Sequence, residues 1–180
     1  FPCLGYVRPT PTSTVPMIAG QITPAIMQEA LRRTPSHKAA GPDGVPCLVL
    51  KHMPPAFHEA LHLLFQALAE TGITPPTWLQ SHTILLNKKG DPTILDNYRP
   101  ITLANAIYKL WTTCIIILAT DYIESRKILS PEQEGFRADR SCAKAVTHLS
   151  LCVEDAHTSK KDIVMCYLDF KGAFPSTDHK

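Results

Sequence analysis

The chain has 180 residues, of which 44% are apolar and 19% charged, with a formal net charge of +2. That balance excludes a disordered tail and allows one domain with a real core, or part of a larger one. So small a positive excess is a weak sign of a polyanionic partner, because dedicated nucleic-acid modules are usually more basic, with the charge gathered on one face.

Residues 1–21 are rich in proline and threonine and read as a linker. Thr23 before Pro24 is an N-cap with proline at the first helical position, and Ile26, Met27, Ala30 and Leu31 then make a short amphipathic helix ending before Pro35. Lys38-Ala39-Ala40-Gly41-Pro42-Asp43-Gly44-Val45-Pro46 is turn chemistry. A second helix starts at Pro46 and breaks at Pro54-Pro55. A third runs from Pro55 to Thr71 with Phe57, Leu61, Leu64 and Leu68 on one stripe and Gly72 ending it. His82 to Leu86 reads as a strand, Lys88-Lys89-Gly90-Asp91 as a turn, and Tyr98 to Leu103 as a partner strand. A long helix covers roughly 104 to 126. Ser130-Pro131-Glu132-Gln133 has the capping-box spacing and is expected to open a short helical turn before Gly135. A further helix follows Arg140-Ser141, carrying Val146, Leu149, Val153 and Ala156. Ile163 to Asp169 is an apolar run of buried-strand type.

The six cysteines are spread out with no C-x-x-C pair, and five lie in apolar or helical stretches, which points to small hydrophobes in a reduced intracellular setting. Nuclear and cytoplasmic residence are not distinguished. The most apolar run, Cys114 to Ala119, is too short to cross a bilayer, so no membrane partner is expected. The chain starts on Phe1 and stops on Lys180 inside a polar motif, and both ends are expected to be cuts.

Three constellations carry possible chemistry. His58-Glu59-Ala60-Leu61-His62 matches H-E-x-x-H on a helix, the zinc-peptidase arrangement of two ligands one turn apart and a general base. Phe65 stands where the extended form of that motif has glycine, and no helix signature marks Glu124, Glu132 or Glu134 as a third ligand. Chance in a histidine-rich chain favours a solvated helix edge beside the Phe57/Leu61/Leu64 stripe. Asp169 ends an apolar strand, with Gly172 and Ala173 close by, which suits a divalent cation and a phosphate; lone aspartates also commonly cap strands. Lys88, Lys89 and Arg99 bracket a loop between two strands, where cations can clamp a triphosphate or simply solvate a turn.

Taken in order, these pieces resemble the reverse transcriptases of non-LTR (LINE-like) retrotransposons. Lys38 to Pro46 is similar to that family's K-A-x-G-P-D-G-I-P segment. Trp78, Lys88-Lys89-Gly90-Asp91 and Asn97-Tyr98-Arg99-Pro100-Ile101-Thr102-Leu103 resemble its fingers block. Gln133 to Arg137 with Arg140-Ser141 resembles Q-x-G-F-R-x-x-R-S, and Tyr167 to Phe174 with Asp178-His179 resembles the first catalytic palm motif. Each signal is modest and the ordered set is specific.

The resemblance implies an α+β fold, a partial right-hand polymerase whose helix-rich fingers carry a short β-hairpin and lead into the first palm strand. It divides the chain into a linker (1–21), fingers (22–103) and the start of a palm (104–180). It gives Asp169 and the backbone carbonyl of Phe170 to two Mg²⁺ ions, and Phe174 with Ala173 to the deoxynucleotide sugar, the ring of Phe174 excluding a 2′-hydroxyl. Lys88, Lys89 and Arg99 would meet the triphosphate and template, and Gln133, Phe136 and Arg137 would support the palm and the nucleic-acid track. The implied partners are an RNA template, a DNA primer and deoxynucleoside triphosphates. Two departures stand out: Pro175 replaces the family's aspartate after the gate aromatic, fixing φ and removing an amide hydrogen, and the family's second Asp-Asp motif is not among these residues. The chain as given is therefore expected not to polymerise, and a nucleic-acid-binding remnant is the alternative.

Overall fold

The computed structural model describes residues 18–170 and Ala173; Phe174, Pro175 and Asp178 lie outside the described residues. After a single 3-10 turn, Ile18–Gln21, helix α1 spans Pro24–Arg33. Its start is local chemistry: the Thr23 hydroxyl accepts the Ile26 amide at 3.3 Å, and Pro24 supplies a fixed φ where no amide donor is needed. Helix α2 is short, Cys47–His52, and α3 follows over Pro55–Thr71. Gly72 ends α3 at φ 68°, its N–H bonded to the Leu68 carbonyl, the left-handed cap that glycine takes without a Cβ penalty. The 3-10 turn Pro76–Leu79 leads to β1, His82–Asn87, which pairs antiparallel with β2, Tyr98–Leu103. Helix α4 is Ala106–Ser125 and α5 is Cys142–Thr158. The class is α+β, as the sequence implies, with one two-stranded sheet among the described residues.

The chain divides into two compact units between Arg126 and Lys127. The core of the first unit is built from one stripe of each helix: Met27, Ala30 and Leu31 of α1, Cys47 and Leu50 of α2, Leu61, Phe65 and Leu68 of α3, and Ala106, Leu110, Cys114 and Ile117 of α4. Phe65 is fully buried, with its ring 5.3 Å from Trp111 and 6.5 Å from Trp78, both edge-on. Burial and edge-to-face contact together are worth about 2–4 kcal/mol for such a ring. This corrects the expected α3 stripe. Leu64 is exposed and Phe65 takes its place, because Leu61, Leu63, Leu64, Phe65 and Leu68 leave periodicity with two faces to choose from.

Helix α4 as a whole is long and apolar enough to cross a membrane by length and composition, which the short run Cys114 to Ala119 did not suggest. Its residues Ala106, Leu110, Cys114 and Ile117 instead pack in the core of the first unit. The burial pushes the Cys114 thiol up to about 11.

The second unit departs from expectation in three places. Ile163 to Asp169 is irregular and exposed, not a buried strand. A strand exists through its ladder, and no described segment pairs with this one. Ser130 opens a turn, not a helix: its hydroxyl bonds the Glu132 carboxylate and accepts the Glu132 amide at 3.3 Å, so it cannot close a capping box with Gln133. On α5 only Ala156 of the expected stripe is buried, while Val146, Leu149 and Val153 are exposed. The helix itself is capped as expected, with the Ser141 hydroxyl accepting the Lys144 amide at 3.3 Å.

Candidate nucleic-acid interface

The β1–β2 hairpin brings Lys88, Lys89 and Arg99 onto one element. Arg99 stands opposite Leu86 in the register, and the Lys88 N–H donates to the Asn97 carbonyl at 2.8 Å, carrying the ladder one step past β1. Strand alternation then puts Lys88 on the face that Arg99 shares, as its diagonal neighbour. All three cations are exposed.

The intervening loop is ordered by its own polar groups. The Asp91 carboxylate accepts the Thr93 amide at 2.8 Å and its hydroxyl at 2.7 Å, and these bonds hold Asp91 below the usual carboxylate range. The Asn97 amide donates to the Asp91 carbonyl at 2.9 Å, and the Tyr98 hydroxyl donates to the Pro92 carbonyl at 2.9 Å. Gly90 turns at φ 91°, where a Cβ would stand 3.0 Å from the Asn97 side-chain nitrogen. A fixed loop presenting cations suits phosphate binding, since the side chains alone lose freedom on contact. The sequence pattern points to the cations and not to this scaffold, although Asp91 two residues before Thr93 has the spacing of an Asx turn.

In the second unit, Gln133, Phe136 and Arg137 fall on an irregular loop from Ser130 to Ser141. The Arg137 guanidinium donates to the Ser130 carbonyl at 2.8 Å and to the Gln133 carbonyl at 3.3 Å, while the Gln133 amide reaches the Gly135 carbonyl at 3.2 Å. Phe136 is almost fully exposed at φ 61°. Glu134 organises the end of the loop: its carboxylate accepts Arg140 at 3.0 Å and the Ser141 amide at 3.3 Å. Desolvation pushes the Glu134 carboxyl up, but the Arg140 and Ser141 hydrogen bonds and the charges of Arg140 and Lys144 outweigh it, so the net shift is downward. Arg140 and Glu134 are thus the residues that sequence reasoning undervalued here.

Asp169 and Phe170 lie exposed in the irregular segment, and Ala173 is exposed in a turn. Among the described residues no three His, Cys, Asp or Glu side chains lie together as a metal site. Two Mg²⁺ ions need more donors than one exposed carboxylate, so these residues do not by themselves fit the metal pair that the family implies.

His58, Glu59 and His62 line a cleft of about 470 Å³ with Pro24, Met27, Gln28, Pro55 and Leu63. The His58 Nε2 donates to the Leu50 carbonyl at 2.8 Å and the His62 Nε2 to the Ile22 carbonyl at 2.7 Å. A carbonyl has no proton to give, so in both rings Nε2 is the protonated nitrogen and only Nδ1 keeps a lone pair. Both histidines therefore tie α3 to its neighbours. Glu132 is engaged by Ser130 and Glu134 by Arg140.

No family model matches the chain. Curated proteins do. The chain is 29% identical over 152 residues to a probable RNA-directed DNA polymerase from transposon BS of Drosophila melanogaster, covering 84% of this chain and 17% of that protein. It is 24% identical over 154 residues to the RNA-directed DNA polymerase from mobile element jockey of the same fly, covering 85% of this chain and 17% of that protein. It is 29% identical over 154 residues to the retrovirus-related Pol polyprotein from type-1 retrotransposable element R2 of Nasonia vitripennis, covering 84% of this chain and 14% of that protein. The chain thus spans about a sixth of the length of these relatives. The resemblance to RNA-directed DNA polymerases of non-LTR retrotransposons is borne out along most of its residues.

Proposed function

We propose that the chain forms the fingers and the start of the palm of an RNA-directed DNA polymerase of a non-LTR retrotransposon, and that its β1–β2 hairpin contacts the phosphates of nucleic acid and incoming nucleotide. The observation that carries this reading is the hairpin: within a chain similar to these polymerases over 84% of its length, Lys88, Lys89 and Arg99 project from one self-ordered loop and its flanking strand. In that reading Gln133, Phe136 and Arg137 support the nucleic-acid track. Phe174 and Ala173 meet the deoxynucleotide sugar, and Asp169 with the Phe170 carbonyl contributes to a divalent-cation site. A single exposed carboxylate does not make a two-ion site, so these residues on their own bind nucleic acid without extending a primer.

Fluorescence anisotropy with a DNA primer annealed to an RNA template tests the proposal. Binding is expected to weaken steeply as salt rises, and Lys88→Ala, Lys89→Ala and Arg99→Ala together are expected to flatten the slope of log K against log salt by about 2–3, roughly one for each phosphate no longer neutralised. A slope that the triple substitution leaves unchanged would remove the hairpin from the interface. Primer extension by the 180-residue chain with Mg²⁺ and deoxynucleotides is expected to give no product. Any extended primer would overturn the expected inactivity.

A further inference from the structure

The hairpin meets the rest of its unit through a narrow root. Every residue of β1 is exposed, and so is the middle of β2. The helical core therefore does little to fix the direction in which Lys88, Lys89 and Arg99 point. Two residues, Ala104 and Asn105, separate β2 from α4.

Asn105 is 7% exposed and stands at the N-cap position of α4, yet its side chain makes no capping bond. Asparagine is among the best residues for that cap, so its use elsewhere is informative. Its Oδ1 accepts the Asp43 amide at 3.3 Å, and its Nδ2 donates to the Thr77 carbonyl at 3.1 Å. The only other buried polar residue among those described, Thr34, bonds its own helix. Thr77 lies in the turn that leads into β1, and Asn105 itself follows β2. Both legs of the hairpin are therefore pinned at one buried amide.

The third attachment is the Gly41-Pro42-Asp43-Gly44 loop. A Cβ on Gly41 would stand 2.5 Å from the Ala104 carbonyl carbon and oxygen and 2.6 Å from the Asn105 nitrogen, so backbone packs directly on backbone there. The loop holds its own shape, with the Asp43 carboxylate accepting the Val45 amide at 3.1 Å and Gly44 at φ 66°. The Lys109 ammonium adds a bond to the Ala39 carbonyl at 3.0 Å.

We infer that Asn105, seated by Gly41 and Asp43, is the positioning residue of the cationic hairpin, and that the glycine-rich loop serves to hold this root. The consequence for nucleic-acid binding rests on the function proposed above; the consequence for the hairpin does not.

Hydrogen exchange on the whole chain separates the two. Asn105→Ala is expected to speed amide exchange across β1 and β2 by about tenfold or more, the scale of one buried hydrogen bond in a local opening constant, while α1 and α3 keep their protection. Asn105→Asp keeps the size and the acceptor toward Asp43 but loses the donor to Thr77, and it is expected to act in the same direction should the alanine variant not fold. In anisotropy, both variants are expected to bind primer–template several-fold more weakly with an unchanged salt slope, since the same cations meet the phosphates from a looser platform. Exchange that rises equally in the helices, or stays unchanged in the hairpin, would overturn the inference. If the unsubstituted chain fails to bind primer–template, the proposed function falls and the exchange result still decides the role of Asn105.

Discussion

Glu134 shows how a loop without regular structure can hold a defined shape. Its carboxylate is shared between a guanidinium and a backbone amide at the start of α5, and both favour the charged form. The folded-state pKa therefore lies below the ordinary value of 4.5. A depressed carboxyl contributes stability that is fully present above that ordinary value and is lost as pH falls through the folded one. An NMR titration of the Ser141 amide should thus show the loop intact at neutral pH and loosening only once the pH falls below the ordinary carboxyl value of 4.5. Glu134→Gln should remove this pH dependence and speed amide exchange from Ser130 to Ser141. A Ser141 signal that titrates near 4.5 in the unsubstituted protein would mean that the clamp does not form in solution. Glu29 is also depressed, to about 2, by hydrogen bonds from Arg32 and Arg33. Its ion pairs are on the helix surface, where such contacts add little to stability.

At the scale of elements, what the sequence made legible is what local chemistry decides. Thr23-Pro24 starts α1 and Gly72 ends α3 because caps act over one turn, and the two strands of the hairpin are readable because short apolar and β-branched runs flank a stretch of turn residues. What it hid depends on partners distant along the chain. The two bonds of Asn105 reach Asp43 and Thr77, and no periodicity encodes them. The run from Ile163 to Asp169 has a strand's composition without a partner among the described residues, so pattern alone misled there. The same division marks the candidate site: the hairpin cations are readable as a group, whereas their scaffold of Asp91, Asn97 and Tyr98 is not.

Helix α3 gives the sharpest test at this scale, because adjacent residues with similar hydrophobicity have opposite fates. Phe65 is fully buried against two tryptophans and Leu64 is 37% exposed. Phe65→Ala should cost about 3–5 kcal/mol in urea unfolding, from the forfeited burial and a residual cavity, whereas Leu64→Ala should stay within about 1 kcal/mol. Equal losses at the two positions would place the core on the other face of α3, where the sequence stripe had it.

For the whole molecule, the distribution of buried apolar side chains decides where cooperativity resides. The core cluster draws on Ile22 and on α1 to α4, all before Lys127, and the only buried hydrophobic residue described after that point is Ala156. Backbone ordering costs about 1–2 kcal/mol per residue, and burial of large side chains is the main term that offsets it. The second unit instead leaves Val164, Leu168 and Phe170 more than four-fifths exposed. Residues 18–126 made alone should therefore melt as a single cooperative transition. Residues 127–180 made alone should show none, whatever helix α5 retains. The helical signal of α5 should then decline gradually with temperature, as expected for an isolated helix of its 17 residues. Calorimetry on the two pieces checks this. A cooperative heat-absorption peak from residues 127–180 would require packing there that the described side chains do not supply, and its absence from residues 18–126 would mean that the four-helix core is not a folding unit.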